Sequence, residues 1–260
     1  MILDQIIRDR KRAVEELKER VSVGQLIKQI EQSQLSYYSF KEALMQKREG
    51  IHIIAEVKKA SPSKGLICQD FNPIAIAKDY EMGGATAISV LTEPNYFQGD
   101  NSYLTKIKEN VKIPLLRKDF IIDPFQIYEA KAIGADAILL IVAVLSPGVL
   151  QEYFKLARSL GLDCLVETHD KKEVEVALEA GAEMIGVNNR NLQTFEVSLE
   201  VSKGLRSLIP KNHIFVAESG IHTQEDVKFL KKIDVKAMLI GESVVKATDR
   251  VAKLRELLEA

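Results

Sequence analysis

The feature that most constrains the fold is a series of short apolar runs that recur from residue 51 onward. The runs are IHIIAEV, TAISVL, IPLL, DAILLIV, DCLVE, EMIGV, HIFVAE and KAMLI. Their starts, near positions 51, 86, 114, 136, 163, 183, 213 and 236, are separated by 20 to 35 residues. That interval accommodates one strand and one returning helix. Eight such units predict a closed (β/α)₈ barrel, the TIM-barrel fold.

The composition of the runs favours parallel strands. AILLIV is apolar on consecutive residues, as expected when a core covers one face of a strand and helices cover the other. Glycines before three runs, in MGGATA, IGADA and AGAEM, are suited to ending helices. A doubly wound open sheet also alternates strands and helices and stays an alternative, although no GxGxxG motif follows the first run.

The length of the chain fits one barrel with an addition at the N-terminus. The chain has 260 residues, whereas α/β barrels typically occupy roughly 250. Apolar residues recur at helical spacing from about residue 3 to 47, before the repeating part begins. We therefore expect a single barrel domain over residues 1–260, with residues 1–48 forming a helical extension packed on the barrel.

The charge balance excludes several classes of partner. Lysine and arginine number 36 against 37 acidic residues, so no global field attracts nucleic acid or an anionic membrane. Cys68 and Cys164 show no metal-ligand spacing, and the N-terminus lacks the apolar run of a signal peptide. We expect a cytoplasmic protein without a metal, a nucleic-acid partner or a membrane partner.

Polar residues close six of the apolar runs, and these are the candidate site residues. Active sites of barrels lie at the carboxyl ends of the strands, so these side chains should meet if the barrel closes. They are Glu56, Lys58, Ser61 and Ser63 after the first run, Lys118 after the third, Glu167 after the fifth, Asn188 and Arg190 after the sixth, Glu218 and Ser219 after the seventh, and Gly241 after the eighth.

The last two units carry a pattern that indicates a phosphate site. Ser219 and Gly220 follow the seventh run, and Gly241 and Glu242 follow the eighth, where barrels commonly bind phosphate. Small residues let backbone N–H groups approach an anion, and a helix beginning after the eighth run would add its N-terminal partial charge. Arg190 or Lys58 could supply full positive charge. The pattern predicts a small phosphorylated substrate.

The motifs that contain these residues resemble those of the indole-3-glycerol phosphate synthase family. They are AEVKKASPSKG, LTEPNYFQGD, LLRKDFIIDPFQIYEA, GVNNRNL, VAESGI and LIGES. The resemblance runs from the N-terminal helices to the last strand. Related phosphate-binding barrels share the glycine turns but lack the Glu-Val-Lys-Lys-Ala-Ser-Pro-Ser segment and Arg-Lys-Asp-Phe.

The resemblance implies a reaction and a set of site residues. The reaction is ring closure of 1-(2-carboxyphenylamino)-1-deoxyribulose 5-phosphate with loss of carbon dioxide and water, in tryptophan biosynthesis, and it implies no cofactor. Lys118 matches the family's general acid, and Glu167 matches its acid/base in dehydration. The other matching residues are Glu56, Lys58, Asn188, Glu218 and Ser219 around the reacting substrate, and Phe97 and Phe120 as an apolar wall that Leu139 could join.

Elementary chemistry agrees with two of these roles. Attack of the aryl ring on a ketone develops oxyanion charge, which the normally protonated Lys118 could neutralise by proton transfer. Loss of water requires a proton for the departing hydroxyl, and a carboxyl whose pKa is raised by burial or like charges could supply it. Glu167 is the candidate, with Glu56 and Glu218 as its neighbours.

Two other functions stay open at this point. A Schiff-base aldolase on the same barrel could use Lys58 or Lys118 as its nucleophile. A sensor could bind a phosphorylated ligand without any chemistry, because a fold does not determine a function. The oligomeric state is equally open, with a monomer or a weak homo-oligomer expected.

Some residues depart from the family pattern or lack an assigned role. Glu242 stands where some members have a serine in the last phosphate turn, and Ser243 follows it. The chain contains no tryptophan, so an aromatic contact from the N-terminal segment of some members must be absent or replaced. The four histidines, among them His169, show no pairing typical of a metal site or a Ser/His nucleophile, and we expect structural or solvated roles for them.

Overall fold

The computed structural model describes residues 2–192 and 194–260. Within these residues, eight parallel strands form a closed barrel. The strands are β1 (His52–Val57), β2 (Ala87–Leu91), β3 (Leu115–Lys118), β4 (Ala137–Ile141), β5 (Asp163–Thr168), β6 (Met184–Asn188), β7 (Ile214–Glu218) and β8 (Ala237–Ile240). Every strand predicted from the apolar runs is present.

The pairing of the first and last strands decides between the two candidate folds. β1 pairs with β8 in parallel, with Ile54 opposite Leu239, and each other strand pairs with its neighbours in chain order. An open doubly wound sheet would leave two edges unpaired. The barrel prediction is confirmed, and the open sheet is excluded.

Helices follow the strands and surround the barrel. Among the described residues the helices are α1 (Ile2–Arg20), α2 (Val23–Gln32), α3 (Phe40–Met45), α4 (Pro73–Met82), α5 (Asn101–Lys108), α6 (Pro124–Ala132), α7 (Pro147–Ser159), α8 (Lys171–Glu179), α9 (Glu200–Leu205), α10 (Gln224–Lys232), α11 (Glu242–Val245) and α12 (Arg250–Leu258), with a 3₁₀ turn at Arg206–Leu208. No helix in this part of the chain is both long and apolar enough to cross a bilayer.

The two faces of each strand explain why the runs are continuously apolar. All six residues of β1 are buried. Ile53 and Ala55 belong to the core between strands and helices, whereas Ile54 belongs to the core inside the barrel. Because successive side chains point to opposite faces, both sets must be apolar. Gly134 and Gly181, with φ of 97° and 88°, make the left-handed turns that end α6 and α8 before the next strands.

The N-terminal extension contacts both ends of the barrel. Phe40 and Leu44 of α3 are fully buried in the core inside the barrel, together with Ile214 at the beginning of β7. They therefore close its amino end. Helix α2 packs on α6, and Arg10 of α1 pairs with Asp119, which follows β3, at 2.6 Å. The extension is thus anchored at the end where the strands finish as well.

One feature of the loops was not predicted from the sequence. After β1 the chain forms a short hairpin in which Ala60–Ser61 pairs with Gly65–Leu66. The strands of this hairpin are two residues long, which is too short to leave a periodic pattern. The hairpin is tied to the next loop because the Ala60 N–H donates to the Phe97 carbonyl at 3.2 Å. These contacts bring Ser61 and Phe97 to the same end of the barrel.

Candidate active site

A single cavity at the carboxyl ends of the strands collects the residues singled out from the sequence. They meet because the parallel strands of the closed barrel end on the same side, and Glu56, Lys118 and Glu218 are final or near-final residues of β1, β3 and β7. The lining includes Glu56, Lys58, Ser61, Phe97, Lys118, Phe120, Leu139, Glu167, Asn188, Arg190, Glu218, Ser219, Gly220, Gly241 and Glu242. It also includes Ser63 of the hairpin.

Lys118 lies between two carboxylates that come from distant strands. Its Nζ is 3.1 Å from Glu218 Oε2 and 3.5 Å from Glu167 Oε2. The Lys118 side chain is 17% exposed, whereas the two glutamate side chains are 1% and 5% exposed. Burial acts to lower the pKa of Lys118, but Glu218, Glu167 and Glu56 outweigh it and hold the pKa well above its ordinary value. Lys118 is therefore an ammonium at neutral pH.

The strand that carries Lys118 is held rigidly by its neighbours in sequence. Arg117, fully buried on the opposite face of β3, donates to the Gln126 carbonyl at 2.9 Å and pairs with Glu129 at 2.5 Å. Asp119 accepts hydrogen bonds from Thr92 and Arg10, each at 2.6 Å. Buried charge-assisted bonds of this kind restrict the backbone. They orient Lys118 into the cavity.

Glu167 and Glu218 differ in the groups that face them. Burial acts to raise the pKa of Glu167, but Lys118 and His169 outweigh it, so its pKa lies below the ordinary value. Burial raises the pKa of Glu218, and the negative charges of Glu167 and Glu56 oppose the lowering effect of Lys118. In the free site the surroundings therefore raise the pKa of Glu218 and lower that of Glu167, and the role of Glu167 in dehydration stays a prediction.

The remaining oxygen of Glu218 lies against Gly186 of β6. Glu218 Oε1 is buried and has no hydrogen-bond partner among the described residues. A buried carboxylate oxygen without a donor is costly, and a proton on that oxygen reduces the cost. This geometry agrees with the raised pKa of Glu218.

A second ion pair lies next to Lys118. Lys58 Nζ is 2.5 Å from Glu56 Oε1, and their side chains are 17% and 4% exposed. Burial acts to raise the pKa of Glu56, but Lys58 and Lys118 lower it below the ordinary value. The site thus alternates two lysines with three glutamates, and Lys58 is held where it can also approach an anionic group of a ligand.

Glu167 is oriented by contacts to its other oxygen. Asn188 Nδ2 donates to Glu167 Oε1 at 3.2 Å, and His169 Nε2 lies 3.2 Å from the same atom. The ring N–H of His169 is not aligned on that oxygen, so this contact is an ion pair rather than a hydrogen bond. Asn188 also accepts the Arg190 backbone N–H at 3.1 Å, which fixes the beginning of the next loop.

Gly186 on β6 makes room for the Glu218 side chain. A Cβ at Gly186 would overlap Glu218 Oε1. Gly186→Ala is therefore expected to displace the carboxyl and lower kcat about 100-fold, the scale of a 1 Å misplacement in an active site. Steady-state kinetics would measure the loss. Gly148→Ala is the matched control, because a Cβ at Gly148 meets no atom within 4 Å. An unchanged kcat in Gly186→Ala would contradict the required position of Glu218.

Two turns at one side of the cavity are shaped to receive an anion. Ser219 and Gly220 follow β7 with φ of 66° and 80°, in the left-handed region. Consecutive left-handed residues expose backbone N–H groups on one side of a turn. Gly241 precedes α11, whose first amides have no intrahelical acceptor. The helix expected after β8 is only one turn long, so these amides matter more than any helix dipole.

Glu242, which stands where some members of the similar family have a serine, does not block the turn after β8 for an anion. The Glu242 carboxylate pairs with Lys246 at 2.7 Å, and this contact lowers its pKa below the ordinary value. The Ser243 hydroxyl donates to the Ile221 carbonyl at 3.0 Å, so its proton is used to link the two turns. Backbone amides rather than a serine hydroxyl are therefore the donors available for an anion in the last turn.

The opposite side of the cavity is apolar. The Phe97 and Phe120 rings are tilted against each other, with centroids 6.2 Å apart, and Leu139 of β4 lies in the same lining. Helix α1 contributes Ile2, Leu3 and Ile6 to the lining as well. Aliphatic residues of α1 thus cover the cavity in a chain that has no tryptophan. The wall suits an aromatic ring.

Four features of the site were missed from the sequence. The sequence predicts structural or solvated roles for the histidines, although His169 contacts Glu167. Gly186 lies inside a strand and carries no side chain to attract attention. Asn189 is 1% exposed and donates to the carbonyls of Glu218 and Ser219 at 2.9 and 3.3 Å, which braces the anion turn. The sequence predicts that the N-terminal helices pack on the barrel, but it does not indicate that α1 also lines the cavity. Of these, only the position of His169 two residues after Glu167 was a usable signal.

Comparison with known proteins agrees with this architecture. The 3-hexulose-6-phosphate synthase of Salmonella typhimurium superposes with a TM-score of 0.65, at 15% identity, over 80% of this chain and 97% of that chain. Thiamine phosphate pyrophosphorylase of Pyrococcus furiosus superposes with a TM-score of 0.61, at 16% identity, over 80% and 94%. At these identities the likeness concerns the fold alone, which is the (β/α)₈ barrel.

Sequence comparison is more specific. The model of the family described as indole-3-glycerol phosphate synthase matches residues 3–257. The indole-3-glycerol phosphate synthase of Endomicrobium trichonymphae is 54% identical over 99% of both chains. That of Alkaliphilus metalliredigens is 52% identical over 99% of this chain and 98% of its own. Because these matches cover nearly the whole chain, the chain belongs to the indole-3-glycerol phosphate synthase family.

Proposed function

We propose that the chain converts 1-(2-carboxyphenylamino)-1-deoxyribulose 5-phosphate into indole-3-glycerol phosphate, carbon dioxide and water, as a carboxy-lyase of tryptophan biosynthesis. Family membership supports the reaction. The observation that supports the assignment of roles is the position of Lys118, an ammonium held between Glu167 and Glu218 in a cavity with an apolar wall and an anion-binding side.

Lys118 acts first in this proposal. The ring carbon that bears the carboxylate attacks the ketone carbon, and negative charge develops on the ketone oxygen. Lys118 donates a proton to that oxygen, which becomes a hydroxyl. Loss of carbon dioxide then leaves its bonding electrons with the ring system. The low exposure of Lys118 strengthens its interaction with the developing charge, because little water screens it.

The glutamates act in the loss of water. The departing hydroxyl needs a proton, and the carbon next to the nitrogen must release one for the new double bond to form. Glu218, whose pKa is raised by burial, is suited to carry a proton, whereas the ionised Glu167 is suited to accept one. The two roles follow from different surroundings of chemically identical groups.

The other predicted residues bind and orient the substrate in this proposal. The phosphate lies against the amides of Ser219, Gly220, Gly241 and Glu242, beside Ser61 of the hairpin. The aromatic ring packs on Phe97, Phe120 and Leu139. Lys58, paired with Glu56, faces an anionic group of the substrate, and Asn188 holds Glu167 in place.

Arg190→Ala is expected to weaken substrate binding more than it slows the chemistry. Arg190 lines the cavity, and among the described residues its guanidinium donates to the Phe195 carbonyl at 3.4 Å. Loss of a charged hydrogen bond corresponds to a rise in KM of roughly 10- to 100-fold, with a smaller change in kcat. Steady-state kinetics would separate the two. Arg158→Ala, which removes an exposed arginine paired with Glu183, is the control, and an unchanged KM in Arg190→Ala would remove its binding role.

The reaction itself is tested with purified protein and the carboxyphenylamino deoxyribulose phosphate in metal-free buffer, followed by indole absorbance or fluorescence. Turnover is expected. Binding of the substrate without indole formation would support the sensor instead.

A Schiff-base aldolase is disfavoured by the surroundings of Lys118. That mechanism needs a neutral amine as nucleophile. Burial favours the neutral form, but the three carboxylates outweigh it and keep Lys118 protonated. Treatment with borohydride during turnover should leave no covalent adduct on the protein, whereas a trapped adduct would establish the Schiff base.

We further infer that the enzyme works in the cytoplasm without a cofactor, as a monomer or a weak homo-oligomer. One chain supplies every ionisable group that the proposed steps require. No helix in residues 2–192 and 194–260 is able to span a membrane.

A further inference from the structure

His169 lies between two carboxylates behind the proposed catalytic group. It follows β5 and is two residues beyond Glu167. Its Nε2 is 3.2 Å from Glu167 Oε1, and its Nδ1 is 3.0 Å from Glu173 Oε2. The His169 side chain is 15% exposed, so water screens these contacts little.

Glu173 is itself fixed in place. It belongs to the first turn of α8, where a negative charge is stabilised by the helix N-terminus. The backbone N–H of His169 donates to Glu173 Oε2 at 2.8 Å, so main chain and side chain bind the same oxygen. Asp170 caps this helix by accepting the Glu173 N–H at 2.9 Å. The position of the imidazole is therefore determined by the beginning of α8.

The two contacts of the ring require its protonated form. A neutral imidazole carries one N–H and one lone pair, so one of its nitrogens would oppose a carboxylate oxygen. The imidazolium carries a positive charge, so it can donate a hydrogen bond to Glu173 and form an ion pair with Glu167 at the same time. Burial acts to lower the pKa of His169, but Glu167 and Glu173 outweigh it and raise the pKa well above the ordinary value. The other groups that act on Glu167 are Lys118 and Asn188, which contact it, and the carboxylates of Glu218 and Glu56, which repel its charge.

We propose that His169 is a positioning residue, which as an imidazolium held by Glu173 keeps Glu167 ionised and directed at the substrate. This inference rests on the proposed function and deepens it. His169 does not touch the substrate. It acts by adding a positive charge on the side of Glu167 opposite Lys118, so that Glu167 enters each cycle as a base.

His169→Gln is expected to change the pH dependence of catalysis. Without the imidazolium the pKa of Glu167 rises, and Glu167 becomes protonated at higher pH than in the wild type. The acidic limb of the kcat/KM profile should therefore move to higher pH by about one unit, and kcat should fall at the acidic end of the range while changing little at neutral pH, where Glu167 stays ionised. KM should stay nearly constant, because His169 makes no proposed contact with substrate. Steady-state kinetics from about pH 5 to pH 9 would measure this.

Two further variants separate the charge of His169 from its shape. His169→Lys restores a positive charge and should return the acidic limb toward the wild-type position. Glu173→Gln leaves the imidazole but weakens its protonation, so it should move the limb in the same direction as His169→Gln. The control is His213→Gln, which lies before β7 at the opposite end of the barrel and contacts Asn212. Circular dichroism of each variant would verify that it folds.

Titration of the His169 ring by nitrogen NMR gives a readout that does not depend on turnover. We expect the free wild-type ring to stay protonated well above pH 6.5, about the ordinary value for histidine, and the Glu173→Gln ring to titrate at lower pH. An ordinary titration in the wild type would overturn the inference, as would an unmoved acidic limb in His169→Gln. Wild-type protein that forms no indole would instead contradict the proposed function, while the titration still decides whether His169 is charged.

Discussion

Replacing Lys118 by methionine is expected to lower kcat on the order of 1,000-fold, within the range that general acid catalysis contributes. Methionine has a similar length but carries no proton, so the ketone oxygen would lose both its proton donor and its nearest positive charge. KM should change little, because the phosphate turns and the aromatic wall are untouched. Indole formation under saturating substrate would measure kcat.

Two comparisons make the Lys118 result specific. Lys118→Arg keeps the positive charge, but a guanidinium does not release its proton, so turnover should stay low. Lys155→Met removes an exposed lysine on α7 and should leave kcat unchanged. Normal turnover in Lys118→Met would remove the proposed acid. Recovery of activity in Lys118→Arg would show that charge rather than proton transfer is what Lys118 supplies.

Asp136→Asn is expected to destabilise the fold by about 3–5 kcal/mol, the usual cost of breaking a buried ion pair. Asp136 accepts Lys108 Nζ on both oxygens, at 2.7 and 2.6 Å, and neither side chain is exposed. It also accepts the backbone N–H of Tyr38 and of Leu115, at 2.8 and 2.7 Å. An asparagine amide would direct N–H toward some of these donors and leave the Lys108 charge buried without a carboxylate.

Burial already opposes both charges of this pair. It raises the pKa of Asp136 and lowers the pKa of Lys108, in each case against the partner's attraction. Urea unfolding followed by circular dichroism would give the free energy of unfolding. Asp70→Asn, at an exposed position, is the control. A loss as small as that of the control would show that Asp136 and Lys108 do not stabilise the fold, and a fall in kcat of the folded variant would show that the pair also affects the site.

The barrel was predictable from the sequence because each strand must be apolar on both faces. In β1, Ile53 faces the helices while Ile54 faces the interior. Because both faces are buried, each strand is a short continuous apolar run, and such a run can be recognised from local composition. The hairpin formed by Ala60–Ser61 and Gly65–Leu66 does not require apolar residues, because much of it is exposed. The sequence therefore does not predict it.

The candidate site was predictable to a similar degree. Because parallel strands in a closed barrel finish at one end, residues that follow apolar runs must converge there, and the structure brings them into one cavity. Gly186 and His169 escaped notice for different reasons. Gly186 matters because it has no side chain, which leaves space for Glu218. His169 matters because it contacts Glu173 on the following helix, and that contact is not visible in the sequence.

The barrel, the family and the residues that surround the cavity could be predicted before folding is considered, because periodicity and motifs are properties of the linear chain. The raised pKa of Glu218 and the lowered pKa of Glu167, in contrast, follow from contacts that form only in the folded barrel. Lys118 lies 49 residues before Glu167 and 100 before Glu218 in the chain, yet it is 3.5 and 3.1 Å from them in space. A pKa depends on burial and on charges within a few ångströms, and those distances exist only after the barrel has closed.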